Sequence, residues 1–181
     1  VQVADGTGEY LLDPLSLTDW TGFAELLAAP KPIKVLHACG EDLEVLNHCL
    51  GARLGSVFDT QWAAAFLGQG LQLGYRGLVA GELGEELVKG EARSDWLRRP
   101  LSAEQIEYAA QDVRYLLALR ERLQAELERT GLNAWFEQDS RGILSAAYAD
   151  ESQSQGYALC AGAWQLSPRQ LAVLEALWDW R

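Results

Sequence analysis

Residues 33–67 read IKVLHACGEDLEVLNHCLGARLGSVFDTQWAAAFL, and this stretch decides the fold. Ile33 to Leu36 is a short apolar run released by Pro30-Lys31-Pro32, which is the pattern of a buried strand. From about Glu41 to Leu50 the spacing is helical. Ser56-Val57-Phe58 is a second short strand, after which Asp59-Thr60 can cap a helix that runs to Leu67 and stops at Gly68. Strands that alternate with helices imply an α/β sheet.

On the N-terminal side, Val1 to Ala4 and Glu9 to Leu12 flank Asp5-Gly6-Thr7-Gly8 and predict a hairpin, the antiparallel part of a mixed sheet. A helix from about Leu17 or Asp19 to Ala29 follows. On the C-terminal side, glycines at 74, 77, 81, 84 and 90 keep residues 71–95 in short helical pieces. Ser102, with Gln105 three residues on, makes a capping box, and Leu101 with Ile106 is placed for a hydrophobic staple, so one long helix is expected to about Glu128. Asn133 to Leu144 reads as a further helix. Asp150 to Gly156 is polar, and Ser167-Pro168-Arg169-Gln170 then starts a helix carrying Leu171, Leu174, Leu177 and Trp178.

The 181 residues are 49% hydrophobic and 23% charged, enough for one α/β domain with a core. Cys39, Cys49 and Cys160 form no C-x-x-C pair, and with only His37 and His48 a closed zinc site is poorly supplied. A reduced, cytoplasmic protein is expected. The longest apolar runs, such as Trp62 to Leu67, are too short to span a bilayer, so no membrane partner is expected. A net charge of −11 argues against a broad basic face wrapped on duplex nucleic acid but does not exclude an enzyme, since carboxylates that hold divalent cations themselves add negative charge. The chain lacks methionine, starts on a strand and stops inside a helical pattern, from which a fragment is expected.

On the long helix, Ile106, Ala109, Val113, Leu116, Leu117, Leu123 and Leu127 form one apolar direction at about 100° per residue. Tyr108, Asp112 and Tyr115 lie on its flank, so a hydroxyl and a carboxylate four residues apart share one border. Arg120 falls in the apolar face without an account. Asp42 sits in a first helical turn on the side of Leu46 and Cys49, expected to be buried. A buried carboxylate needs a partner, either the helix N-terminus or a divalent cation.

Four segments in order now carry a resemblance: His37-Ala38-Cys39-Gly40-Glu41-Asp42-Leu43, Phe58-Asp59-Thr60-Gln61, Ser94-Asp95-Trp96-Leu97-Arg98-Arg99-Pro100-Leu101, and Tyr108-Ala109-Ala110-Gln111-Asp112-Val113. The chain resembles the ribonuclease D family over nearly its whole length. The resemblance implies a ribonuclease H-like α/β fold, a mixed sheet flanked by helices, and the tyrosine-type group of four-carboxylate 3′-5′ exonucleases with two Mg²⁺ or Mn²⁺ ions. It makes Asp42 and Asp112 the metal ligands and Tyr108 the group that orients the attacking water. The family's D-x-E motif is expected on a strand ahead of Val1, since Asp5 and Glu9 do not alternate within one strand. Without it, this segment alone is expected to be inactive. The implied organisation is an exonuclease domain over residues 1–149, a linker over 150–166, and over 167–181 the first helix of a nucleic-acid-binding HRDC domain. Implied partners are RNA 3′ ends, transfer-RNA precursors among them, acted on by a monomer.

Other roles weigh against these. A Tyr and an Asp four apart are commonly a surface pair, and Asp42 alone suits a helix start. Asp59 is expected to be an N-cap and stays outside the metal set; His37 is expected to be structural and Glu41 solvated. Arg93, Arg98 and Arg99 form a small cluster balanced between RNA contact and a solvated face. The glycine spacings match neither a P-loop nor a dinucleotide fingerprint. Two alternatives to the exoribonuclease remain at this stage, a catalytically silent RNA-binding module and a DNA-proofreading exonuclease domain. The upstream D-x-E strand separates the first, and the sugar of the substrate the second.

Overall fold

The computed structural model describes residues 1–87, 90, 94–149, 157 and 160–180. They fall into two compact units, Val1–Ala147 and Tyr148–Arg181. In the first, strands β1 (Gln2–Ala4) and β2 (Glu9–Leu11) form the expected hairpin, followed by α1 (Thr21–Ala28), β3 (Lys34–Leu36), α2 (Gly40–Leu50), β4 (Val57–Asp59), α3 (Thr60–Phe66) and α4 (Tyr75–Leu83). Three long elements complete it: α5 (Ala103–Arg114), α6 (Leu116–Thr130) and α7 (Asn133–Ala147). The class is α/β, as the alternation implied. Among the described residues the antiparallel and parallel components remain two separate ladders, β1 with β2 and β3 with β4. Strands of three residues offer few rungs, and each pair is backed by its own helices: α5 lies on both hairpin strands, α6 on β3, and α7 on β4.

The core gathers where α3, α4, α6 and α7 meet β4. Phe58 of β4 packs against Phe136 of α7 with ring centroids 4.9 Å apart, and Phe66 meets the same ring edge-on at 5.8 Å. Leu119, Leu123 and Leu127 line one face of α6 and are almost completely buried. Each such side chain contributes about 1.5–3 kcal/mol of transfer free energy. Arg120, which the apolar pattern left unexplained, sets its guanidinium 6.0 Å from the Phe58 ring centroid, a cation–π contact on the border of this core.

The helix expected from Ser102 to Glu128 is two helices broken at Tyr115. The capping box at its start is as read: Ser102 Oγ accepts the Gln105 N–H at 3.2 Å, and Gln105 Oε1 accepts the Ser102 N–H at 3.0 Å. The expected apolar stripe is largely in place, with Ala109, Leu116, Leu123 and Leu127 buried and Val113 and Leu117 half-buried, and it departs from expectation at two residues. Ile106, expected in the core and in a staple, is 47% exposed, whereas Leu119, outside the expected stripe, is fully buried.

In the second unit the stretch expected to be a linker is ordered over residues 160–166. Ala163 is buried, its N–H donates to the Cys160 carbonyl at 2.9 Å, and Ala163–Gln165 forms a 3₁₀ turn. The polar residues Asp150 to Gly156 lie outside the described residues. Helix α8 (Pro168–Trp180) begins as its proline predicts, with Gln170 Oε1 accepting from both the Ser167 N–H and hydroxyl at 2.9 and 2.8 Å. No helix is long and apolar enough to cross a membrane among the described residues.

Candidate active site

Asp42 is carried by the first turn of α2, and the loop that launches this helix is held from outside by Asp59. At the end of β4, Asp59 is buried, and its Oδ1 caps α3 by accepting the Gln61 and Trp62 N–H groups at 2.8 and 3.2 Å. The same carboxylate reaches the other strand: Oδ1 accepts the Ala38 N–H at 3.1 Å and Oδ2 the Cys39 N–H at 2.8 Å. Those two bonds hold Ala38 at φ +58°, a left-handed conformation that costs a non-glycine residue about 1–2 kcal/mol. Asp59 is thus the N-cap that the sequence suggested, and also a brace for the start of α2. The expectation that Asp42 would be buried alongside Leu46 and Cys49 is corrected: Asp42 and Cys49 are exposed, and the helix buries Leu43 instead. Leu43 is one position on, so the buried direction is turned by one residue from the predicted one.

Tyr108 and Asp112 come together on α5, one turn apart, as predicted. This helix is seated by two arginine clamps. Arg114 ties it to the hairpin through Glu9 at 2.8 Å and pairs with Glu107 at 2.7 Å. Arg99 grips Asp13 with both prongs, at 2.7 and 2.6 Å, and so pins the segment that leads into α5. Arg99 is therefore committed to the fold rather than to a ligand; Arg93 lies outside the described residues. Gln105 adds a tether that the capping box does not predict, its Nε2 donating to Ser94 Oγ at 2.9 Å and to the Asp95 carbonyl at 3.1 Å. This lays Trp96 on Tyr108, with ring centroids 6.1 Å apart.

Tyr75, a residue to which the sequence drew no attention, links the loop ahead of α2 to the end of α5. Its ring meets His37 edge-on at 5.6 Å, and His37 Nδ1 is hydrogen-bonded to Thr60 Oγ1 at 2.9 Å, in keeping with a structural histidine. The Tyr75 hydroxyl donates to the Gln111 carbonyl at 3.0 Å and accepts the Tyr115 N–H at 3.2 Å. It thereby replaces the rung that would have joined Gln111 to Tyr115, and this is the cause of the helix break. No composition or spacing signal marks Tyr75; only its neighbours in space do.

The electrostatics distinguish the two aspartates from other acids in the chain. The Arg99 guanidinium holds Asp13 well below the usual carboxylate range, and Arg114 lowers Glu107 to about 2. Asp42 and Asp112 move the other way. Burial raises Asp42, with the charges of Asp59 and Glu41 adding to it, and burial alone raises Asp112. Neither has an ion pair among the described residues. Each is an accessible carboxylate with protein packed around it and no cation to offset its charge, which is a donor suited to a hard divalent ion. Tyr108 is raised by burial and then by the charge of Asp112, so its hydroxyl keeps its proton at neutral pH. Among the described residues no three His, Cys, Asp or Glu side chains converge into a metal-holding group. The described side chains would therefore form at most part of a metal-binding set.

Known nucleases resemble this chain in sequence and in fold. The chain is 44% identical over 181 residues to ribonuclease D of Pseudomonas paraeruginosa and 39% identical to that of Escherichia coli, covering all of this chain and 48% of each relative. It spans about half the length of the curated relatives it matches. The crystal structure of Escherichia coli RNase D, described as an exoribonuclease involved in structured RNA processing, superposes with a TM-score of 0.86 at 38% identity, over 99% of this chain and 48% of that one. Brucella melitensis NrnC with bound Mg²⁺ superposes with a TM-score of 0.65 at 29% identity, over 72% of this chain and 64% of that one. A family model for 3′-5′ exonuclease matches residues 1–128, which take in the hairpin, the Asp42 turn and the Tyr108 to Asp112 helix. On that match, over most of its length, the chain belongs to the 3′-5′ exonuclease family.

Proposed function

We propose that this chain is the catalytic part of a 3′-5′ exoribonuclease that removes nucleotides one at a time from RNA 3′ ends, transfer-RNA precursors among its substrates. The observation that carries the reading is the pair of accessible, uncompensated carboxylates, Asp42 and Asp112, with the Tyr108 hydroxyl one turn from the second. Asp42 and Asp112 are the residues that would hold Mg²⁺ or Mn²⁺. When bound, such cations lower the pKa of water and stabilise charge on the departing oxygen. Two carboxylates leave much of a hard cation's oxygen shell to water, to substrate phosphate and to further carboxylates. The resemblance puts a D-x-E pair in that role.

The chain's own groups do the rest. Tyr108, protonated and steadied by Trp96, holds a water by hydrogen bond against the terminal phosphodiester. The water oxygen bonds to phosphorus as the water releases one proton, the phosphorus–O3′ bond breaks, and the departing O3′ takes up a proton in its place. The products are a nucleoside 5′-monophosphate and an RNA one residue shorter. An overall charge of −11 leaves the RNA to be gripped near its end rather than along a basic face. Residues 167–181 are proposed to open an HRDC-type RNA-binding unit, a reading supported by the separate compact unit that starts at Tyr148.

The test is single-turnover degradation of a 3′-labelled RNA by the full-length protein in saturating Mg²⁺, with RNA affinity measured in Ca²⁺. Asp112→Asn should fall to near background with RNA binding little changed, and Asp42→Asn likewise. Tyr108→Phe keeps the ring and removes one hydroxyl, and should lose about 10²-fold or more in rate. Cleavage at the wild-type rate by Asp112→Asn would remove it from the metal set. A DNA substrate degraded as fast as RNA would point to the DNA-proofreading alternative.

A further inference from the structure

A helix of the length first read from the sequence would join the Tyr115 N–H directly to the Gln111 carbonyl. In this molecule the oxygen of Tyr75 occupies that rung, donating to one group and accepting from the other at 3.0 and 3.2 Å. An extra atom in a rung opens the turn that contains it, so α5 ends at Arg114 and α6 starts afresh at Leu116. The opened turn runs from 111 to 115 and includes Asp112. Asp112 itself stays in the last turn of α5, and the end of that turn is held by a side chain from another helix.

Tyr75 is also fixed at its other end. It is the first residue of α4, and its ring lies edge-on to His37, 5.6 Å away. His37 follows β3 and is anchored through Nδ1 to Thr60 of α3, whose hydroxyl donates to the Leu36 carbonyl at 3.1 Å. The preceding loop is tied down as well, by Gln61 Nε2 on the Leu73 carbonyl at 3.2 Å. One end of Tyr75 thus belongs to the half of the site that launches Asp42, and the other to the turn that carries Asp112.

We infer that Tyr75 is a positioning residue that ties the Asp112 end of α5 to the His37 loop ahead of Asp42, its hydroxyl held by Gln111 and Tyr115 and its ring against His37. The inference rests on the reading that Asp112 holds a divalent cation. Ligand sets tolerate displacements of about 0.5 Å, so a tie that fixes the end of α5 against the His37 loop bears on the site. Tyr75→Phe is a mild change for the fold. The ring stays against His37, and the Tyr115 N–H can return to the Gln111 carbonyl, leaving no buried donor unpaired. What Tyr75→Phe removes is the hydroxyl tie between the Asp112 end of α5 and the His37 loop. Effects on stability and on metal affinity should therefore separate.

The experiment measures Mn²⁺ binding by the paramagnetic resonance of the free ion, on full-length wild-type protein, Tyr75→Phe and Asp112→Asn, well below each melting temperature. Amide hydrogen exchange at Tyr115 reports the rung itself. Tyr75→Phe is expected to raise the Mn²⁺ dissociation constant about tenfold, the lower end of the range for groups that orient a ligand, and to slow Tyr115 exchange as the direct rung forms. At saturating Mn²⁺ its RNA cleavage should recover much of the lost rate. A lowered melting temperature with unchanged Mn²⁺ affinity makes Tyr75 a packing residue and overturns the inference. If Asp112→Asn itself binds Mn²⁺ normally, the reading of Asp112 as a ligand is what fails.

Discussion

At the scale of the residue, the acids of this chain divide into those that stabilise it and those that strain it. Asp59 belongs to the first group, accepting from Ala38, Cys39, Gln61 and Trp62 N–H groups. Asp59→Ala would remove a helix cap and leave buried donors unpaired, a loss of about 3 kcal/mol or more in urea unfolding. Asp42 and Asp112 belong to the second. Their pKa values are raised in the fold, so the folded state holds their protons more tightly than the unfolded chain does. Their unfavourable contribution is absent below the ordinary carboxylate pKa and is fully present once pH exceeds the raised value. At neutral pH without divalent ions, Asp42→Asn and Asp112→Asn should each raise the melting temperature, while Mg²⁺ should stabilise the wild type and not the variants. A metal-free wild type more stable than both variants would contradict this.

At the scale of the element, the chain was legible wherever structure is decided locally. The hairpin glycines, the Ser102 capping box, the Asp59 cap and the proline that starts α8 all act within a few residues of themselves, and all are present. What escaped was decided across the chain. The Tyr115 break comes from a side chain on α4, and the exposure of Ile106 and burial of Leu119 depend on what packs against each helix. Arg120 found its account only in Phe58, on another strand. The difference in burial between Ile106 and Leu119 predicts an asymmetry that urea unfolding can measure. Leu119→Ala and Leu123→Ala should each cost about 2–5 kcal/mol, whereas Ile106→Ala on the preceding helix should stay within about 0.5 kcal/mol. Equal losses at Ile106 and Leu119 would contradict it. The candidate site shows the same division: Tyr108 and Asp112 are four apart on one helix and could be read together, while the braces that aim them, Tyr75 and the second reach of Asp59, had no signal along the sequence.

At the scale of the whole molecule, the two halves of the site are assembled from very different lengths of chain. The Asp42 half is closed by contacts about twenty residues apart, such as Asp59 with Cys39. The Asp112 half depends on Arg99 reaching Asp13 over 86 positions and Arg114 reaching Glu9 over 105. Arg114→Ala should loosen the hairpin from α5 and weaken Mn²⁺ binding by Asp112, with the core of α6 and α7 unaffected in hydrogen exchange. Unchanged affinity would show that the clamp is dispensable for the site. The same two clamps bear on how the chain is made. A ribosome delivers the hairpin about a hundred residues ahead of its helical seat, so over that interval two short strands wait without the surface they are built to cover. The Asp42 turn can settle on β4 before α5 exists. The hairpin can dock only once α5 has been made, and the core of α6 and α7 can close only after that, so assembly runs in the order of the chain.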